Sequence, residues 1–222
     1  TLWTENAAGE PIKILRVSEP EEEAAIVASQ IEATRDVTVA VLYRTNAQSR
    51  AIEQALIASN VPYKIFGGLK FYERKEIKDL VAGLRLASNP SDSVSAERIS
   101  KNFDKKTAQY LLAELPRLGG KLNILELINF FIENANYIEF LEKEYKNARE
   151  RTENVNEFIV FASTFSSGGG SASGGKDLEE FLERISLLQS TDSPSKSSVV
   201  GRQSLVAPVS LMTIHMAKGL EF

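Results

Sequence analysis

Apolar and polar positions follow two alternating periods over the first 90 residues. Short apolar runs, "IKILRV" at 12–17, "VTVAVLY" at 37–43 and "PYKIF" at 62–66, have the length and β-branched content of strands. Around them apolar residues fall three and four apart, the spacing that sets one helix face toward a core. These are Ala24, Val27, Ala28 and Ile31, then Ile52, Ala55 and Leu56, then Ile77, Leu80, Val81 and Leu84. Ser18, with Glu21 three residues on, predicts the start of the first helix. "VTVAVLY" is apolar on both faces, as expected of a central strand in a parallel sheet covered on both sides. Strands separated by amphipathic helices predict βαβ crossovers.

From about residue 91 the strand signal stops. Helical stripes take over at Ala108, Leu111, Leu112 and Leu115, at Ile124, Leu125, Ile128, Phe131 and Ile132, and at Ile138, Leu141 and Tyr145. The polar segment "STDSPSKSS" reads as a linker, and "VSLMTI" at 209–214 is strand-like again. An α/β layer that stops, yields to helices and resumes with one strand predicts an inserted domain. The expected division is an α/β part of residues 1–90 and 205–222, with a helical insertion at 91–204 carrying a Gly/Ser-rich loop at 166–175.

That loop raises a separate question. Gly170, four residues, then Gly175-Lys176 is one residue short of the G-x-x-x-x-G-K-[ST] pattern that cradles nucleotide phosphates. A phosphate loop follows a buried strand, but Val155, Phe158, Ile159, Ala162 and Phe165 before it have helix spacing. Asp177 stands where a magnesium-binding hydroxyl belongs; it suits an N-cap instead, with Glu180 three residues on. The loop is therefore expected to be a flexible connection between helices.

Composition narrows the classes. The chain has 222 residues, 43% hydrophobic and 25% charged, enough for one or two domains with a core. With no cysteine and one histidine, disulfides and thiolate metal sites are excluded, and no metal site is expected. No apolar run has the length of a membrane span, so a cytoplasmic protein is expected. The net charge of −4 argues against a nucleic-acid binder, yet Arg44, Arg50, Lys64, Lys70, Arg74, Lys75 and Lys78 make one region locally positive.

Candidate chemistry gathers beyond the strands. Thr213, His215, Lys218, Gly219 and Glu221 follow the last strand, and "RTNAQSR" follows "VAVLY". In open α/β sheets ligands bind outside the carboxyl ends of strands. A hydroxyl, an imidazole and an ammonium there suit phosphates, and a carboxylate suits a ribose hydroxyl. Trp3 is either a core anchor or a stacking platform, with core favoured.

"LMTIHMAKGLEF" resembles motif V of the superfamily 1A DNA helicases, the UvrD, PcrA and Rep group. "LWTENAAG" at 2–9, "VAVLYRTNAQSR" at 39–50, "VPYKIFGGLKFYERKEIKDLVAGLRLASNP" at 61–90 and "LEEFLERISLL" at 178–188 resemble that family in the same order. The resemblance implies an incomplete second RecA-like motor domain (2A), of the P-loop NTPase-like class, with an all-α inserted domain (2B). It implies that Thr45, Asn46, Arg50, Thr213 and His215 lie on a single-stranded DNA track, joined by Lys218, and that Gly219 and Glu221 face ATP. ATP and Mg2+ are implied for the complete enzyme, with none expected bound to this chain.

The implied activity is that of a 3′-to-5′ DNA helicase acting on single strands and single/double-strand junctions, with a first motor domain of the same polypeptide as partner. No phosphate loop or Walker-B acid pair is found, and the chain stops before the family's arginine-finger motif. It is therefore expected to be a fragment without catalytic residues or ATPase activity of its own. Where relatives carry a duplex-binding turn, this sequence has "KNFDKKT", with Lys101, Lys105 and Lys106 as possible phosphate contacts. The alternatives are a non-enzymatic protein-interaction module and part of a helicase-nuclease subunit.

Overall fold

The computed structural model describes residues 9–34, 38–167, 174–190 and 209–220. Three strands, β1 (Ala40–Tyr43), β2 (Tyr63–Ile65) and β3 (Val209–Thr213), form one parallel sheet in the order β1-β3-β2. Tyr43 stands opposite Thr213, and Ile65 opposite Leu211. β3 is central, with Val209, Ser210, Leu211 and Met212 all buried. The expectation that "VTVAVLY" would be the central strand is corrected: among the described residues β1 is an edge, and Leu42 is 46% exposed. The last strand takes the middle because it pairs on both sides. The described residues between β2 and β3 are thus an excursion out of the sheet.

Two helices pack with the sheet, α1 (Pro20–Ala33) and α2 (Ser49–Ala58). Ala24, Ala28 and Ile31 of α1 meet Ala51, Ile52 and Leu56 of α2 in a core shared with Tyr43, Val209 and Leu211. α1 starts at Pro20 with Glu19 as its cap, one residue later than a Ser18 cap would set it; proline at the first position has no amide proton to leave unpaired. "IKILRV" forms no strand, and Ile12 and Ile14 are almost wholly exposed. A strand needs a neighbouring edge to satisfy its backbone, and no described strand pairs with this segment.

The excursion contains seven helices among the described residues: α3 (Lys75–Ser88), α4 (Ser93–Asn102), α5 (Lys105–Leu118), α6 (Ile124–Asn134), α7 (Tyr137–Glu144), α8 (Ala148–Ser167) and α9 (Gly174–Ser190). Their starts are chemically marked. Asp92 accepts from the amides of Val94 and Ser95 at 3.1 Å, and Asp104 from Lys106 and Thr107 at 3.0 and 3.2 Å. Asn123 and Glu126 form a reciprocal capping box at the head of α6.

α3 is the spine of this unit. Its Ile77, Leu80, Val81, Leu84 and Leu86 are buried in a core with Leu111, Leu115, Ile128, Phe131, Phe158 and Phe181. Each such side chain contributes about 1.5–3 kcal/mol by burial. Gly83 leaves room for Phe131, whose ring would stand 2.7 Å from an added Cβ. Phe71 and Tyr72 belong to this same core, so the two hydrophobic cores part between Ile65 and Phe71.

The glycine-loop question is answered by what precedes the loop: helix α8, not a strand. Gly174, Gly175 and Lys176 begin α9, so Asp177 sits inside the first turn and not at the expected cap position. The loop residues 168–173, the linker from 191 to 208, Trp3 with most of "LWTENAAG", and Glu221 lie outside the described residues. No helix among the described residues is long and apolar enough to cross a membrane.

Candidate nucleic-acid interface

The pairing of Tyr43 with Thr213 ends β1 and β3 level with each other. The Ile214 amide extends the ladder by donating to the Tyr43 carbonyl at 2.9 Å. Residues just beyond both strands therefore share one rim. Arg44 and His215 meet there, with Arg44 Nη1 3.2 Å from both Nδ1 and Nε2 of the ring. Both side chains are exposed.

Each strand end turns sharply. After β1, Gln48 Oε1 accepts from the amides of Arg44 and Thr45 at 2.9 and 3.1 Å, folding the chain into a short 3-10 turn, Asn46–Gln48. After β3, the Thr213 carbonyl accepts from Met216 and Ala217 at 2.9 and 3.1 Å. The turn runs on to Gly219 at φ +86, a conformation glycine adopts without strain. β2 contributes Gly67 and Gly68 to the same end of the sheet. A Cβ at Gly67 would stand 2.4 Å from Met216 Cε, so a side chain there would push the methionine side chain aside.

Thr45, Asn46 and Thr213 are half-buried on the rim, while His215, Lys218 and Gly219 are exposed. Asn46 faces the helical unit: its side-chain amide donates to Glu150 of α8, and its carbonyl accepts from Arg74 Nη1 at 2.9 Å. Among the described residues no cluster of acidic or histidine side chains suits a metal ion.

Arg50 departs from its expected place. It is 1% exposed, beneath the rim, where Nε donates to Glu157 at 2.7 Å, Nη2 to Glu21 at 2.8 Å and Nη1 to Gln54 at 3.0 Å. Its guanidinium also lies 5.1 Å from the centre of the Phe161 ring. Burial pushes the Glu21 carboxyl up, but the hydrogen bond from Arg50, a backbone hydrogen bond and the Arg50 charge outweigh it and hold the group below its ordinary range. In this arrangement all three guanidinium nitrogens are engaged by protein side chains. Arg74 is buried likewise, donating to Ser49 and Asn154 at 2.8 Å.

The positive stretch read from the sequence therefore loses two of its cations to the interior. What stays accessible is Arg44, Lys64, Lys75 and Lys78, with Lys70 half-buried. Lys64 lies 5.0 Å over Phe66 and Lys70 5.2 Å over Tyr63, cations stacked on aromatic rings along β2. In the helical unit Lys101 pairs with Glu97 at 2.6 Å, while Lys105 and Lys106 are exposed at the head of α5.

Arg44 is the rim residue absent from the sequence-derived set. The signal existed: it directly precedes Thr45 at the end of a strand, in a stretch already recognised as polar. Its role depended on the strand order, which places it against His215.

A parallel sheet with polar residues beyond its carboxyl ends, interrupted by a large helical excursion, defines an α/β ligand-binding class. The chain belongs to the UvrD-like helicase C-terminal domain family, which matches residues 1–147 and 128–222. It is 33% identical over 271 aligned positions to ATP-dependent DNA helicase PcrA of Bacillus subtilis, covering 100% of this chain and 36% of that protein. It is 34% identical over 265 positions to the PcrA of Leuconostoc citreum, and 33% identical over 282 positions to ATP-dependent DNA helicase UvrD1 of Mycobacterium tuberculosis. The chain thus spans about 36% of the length of the relatives it matches.

Proposed function

We propose that this chain supplies part of the single-stranded DNA track and part of the ATP cleft of an ATP-dependent DNA helicase. One observation carries the reading: the level ending of β1 and β3, which brings Arg44, Thr45 and Asn46 to the same rim as Thr213, His215 and Lys218. Hydroxyl, amide and cationic donors on one rim suit a phosphodiester backbone. The named activity of the relatives supports it.

Arg50 acts in this reading from beneath, bracing the helix behind the rim. In this reading Gly219 and Glu221 serve the nucleotide, which the complete protein binds with Mg2+ and shares with a first motor domain. Translocation runs 3′ to 5′, substrates include single/double-strand junctions, and the location is cytoplasmic. Residues 1–90 and 205–222 are the 2A motor unit in this reading and residues 91–204 its 2B insertion.

Fluorescence anisotropy of a labelled oligothymidylate of about 15 nucleotides tests the track. Each neutralised phosphate contributes a slope of about −0.7 in log K against log salt, so two or three contacts lower affinity roughly sevenfold to twentyfold from about 50 to about 200 mM salt. Asn46→Ala and His215→Ala should each weaken binding several-fold. Binding that ignores salt and both substitutions would remove the reading. For the nucleotide half, Glu221→Ala in the complete protein should raise the ATP KM roughly threefold to tenfold, the loss of one hydrogen bond, with DNA affinity intact.

A further inference from the structure

Asn46 is where the rim touches the helical unit. Its side-chain amide donates to Glu150 Oε1, and Glu150 Oε2 accepts from Asn147 Nδ2 at 3.3 Å. The Asn46 carbonyl is pinned by Arg74 Nη1, so the residue cannot turn away as a whole. The contact lies on the wall of a cleft of about 330 Å³, bounded also by Gly67, Gly68, Arg151 and Asn154. Glu150 stands in the first turn of α8, and its sequence neighbours are committed elsewhere, Arg149 to Glu153 at 3.4 Å and Arg151 to Glu76.

We infer that Glu150 competes with the DNA backbone for the Asn46 amide. A carboxylate oxygen and a phosphate oxygen are both anionic acceptors, and an amide donor aimed at one is withheld from the other. In the arrangement seen here the helical unit caps one donor of the track, and a strand gains that donor only by displacing the carboxylate. The negative charge adds repulsion toward an approaching phosphate. This inference rests on the rim being a DNA track, and its test separates the two.

Anisotropy of the same labelled oligothymidylate is measured with the 222-residue chain and with Glu150→Ala, Asn46→Ala, the double variant and Glu153→Ala. Glu153 lies on the same helix and its loss removes a like charge and releases Arg149 without touching Asn46, so it bounds the electrostatic background from above. Glu150→Ala should tighten binding roughly threefold to tenfold, the range of one net hydrogen bond, and Glu153→Ala less than about twofold, as for a half-buried charge in a surface ion pair with Arg149. In the Asn46→Ala background the Glu150→Ala gain should shrink to that of Glu153→Ala. Glu150→Gln, which keeps an acceptor but no charge, should fall between wild type and alanine, and stands in for it if alanine unfolds the chain.

Equal effects of Glu150→Ala and Glu153→Ala, or a gain that persists without Asn46, would overturn the competition. If Asn46→Ala and His215→Ala weaken binding while Glu150→Ala changes nothing, the competition alone fails. If neither rim variant affects binding, the track itself fails.

Discussion

Arg50 Nε donates to Glu157 Oε1 at 2.7 Å, joining α2 beside the sheet to α8 of the helical unit across 107 residues of sequence. Arg50 is 1% exposed, and its partners Glu157 and Glu21 keep 21% and 52% of their surface. Removing a buried partner costs about 3–5 kcal/mol when the remaining charge is stranded. Here both carboxylates can rehydrate, so Arg50→Ala should cost roughly 2–3 kcal/mol. The thermal midpoint should fall by roughly 5–10 °C. Arg50→Lys should recover little of it, since an ammonium lacks the planar fork that spans three acceptors. Oligothymidylate affinity of the folded variant should stay within about twofold, as for a residue that does not touch phosphate. A variant that melts like wild type but loses DNA binding would place the guanidinium on the track after all.

Gly119 ends α5 against the last turn of α3. An added Cβ would stand 1.8 Å from the Ala87 carbonyl oxygen, and backbone cannot swing aside as a side chain does. Gly119→Ala should therefore destabilise the helical unit by about 1–3 kcal/mol or more through forced separation of the two helices. Gly120 provides the contrast, with φ +77 and no atom within 4 Å of its added Cβ. Gly120→Ala should cost about 1 kcal/mol from backbone strain alone. Urea midpoints of the two variants check the order, and equal midpoints would show that α5 gives way easily.

The helical stripes were legible because a period near 3.6 reports burial directly: Leu111, Leu115, Ile128 and Phe131, singled out by spacing, are all buried. Strand order was not. "VAVLY" and "VSLMT" share an apolar pattern on both faces, and only tertiary pairing decides which lies between neighbours. Arg50 and Arg74 looked like surface charge because their partners Glu157 and Asn154 are 107 and 80 residues away. Charge in a sequence carries no record of such distant partners. α4 went unread although Asp92 with Ser95 marks its start, because Ser95 and Ile99 are its only buried residues and give too narrow a stripe.

Asp92 makes that cap testable by pH. Burial pushes its carboxyl up, but the Ser95 amide and hydroxyl and the Val94 amide outweigh this and hold it below its ordinary value of 3.8. A depressed folded value contributes stability above the unfolded one, lost as pH falls through the folded one. Asp92→Ala should therefore cost roughly 1 kcal/mol near neutral pH, and the difference from wild type should shrink once pH drops below 3.8. Asp92→Asn should keep most of the cap with little pH dependence. Asp104 titrates in all three proteins and cancels in the comparison. A difference that grows on acidification would contradict the assignment.

Arg44 and His215 should separate by their response to salt. The Arg44 guanidinium carries a permanent charge, and its Nη1 stands 3.2 Å from both ring nitrogens of His215. Arg44→Ala removes one phosphate-neutralising cation and should lower the steepness of log K against log salt by about 0.7. His215→Ala should weaken binding by roughly threefold to tenfold, the worth of one contact, with the slope unchanged. The pair also holds itself in place, since each side chain is exposed and the 3.2 Å contact is what orients the other. The double variant should thus lose less than the two single losses combined. Anisotropy titrations of the four proteins at four salt concentrations give both slopes and the coupling. Parallel slopes for Arg44→Ala and wild type would show that Arg44 orients the histidine without meeting a phosphate, and strict additivity would show that the two act on the strand independently.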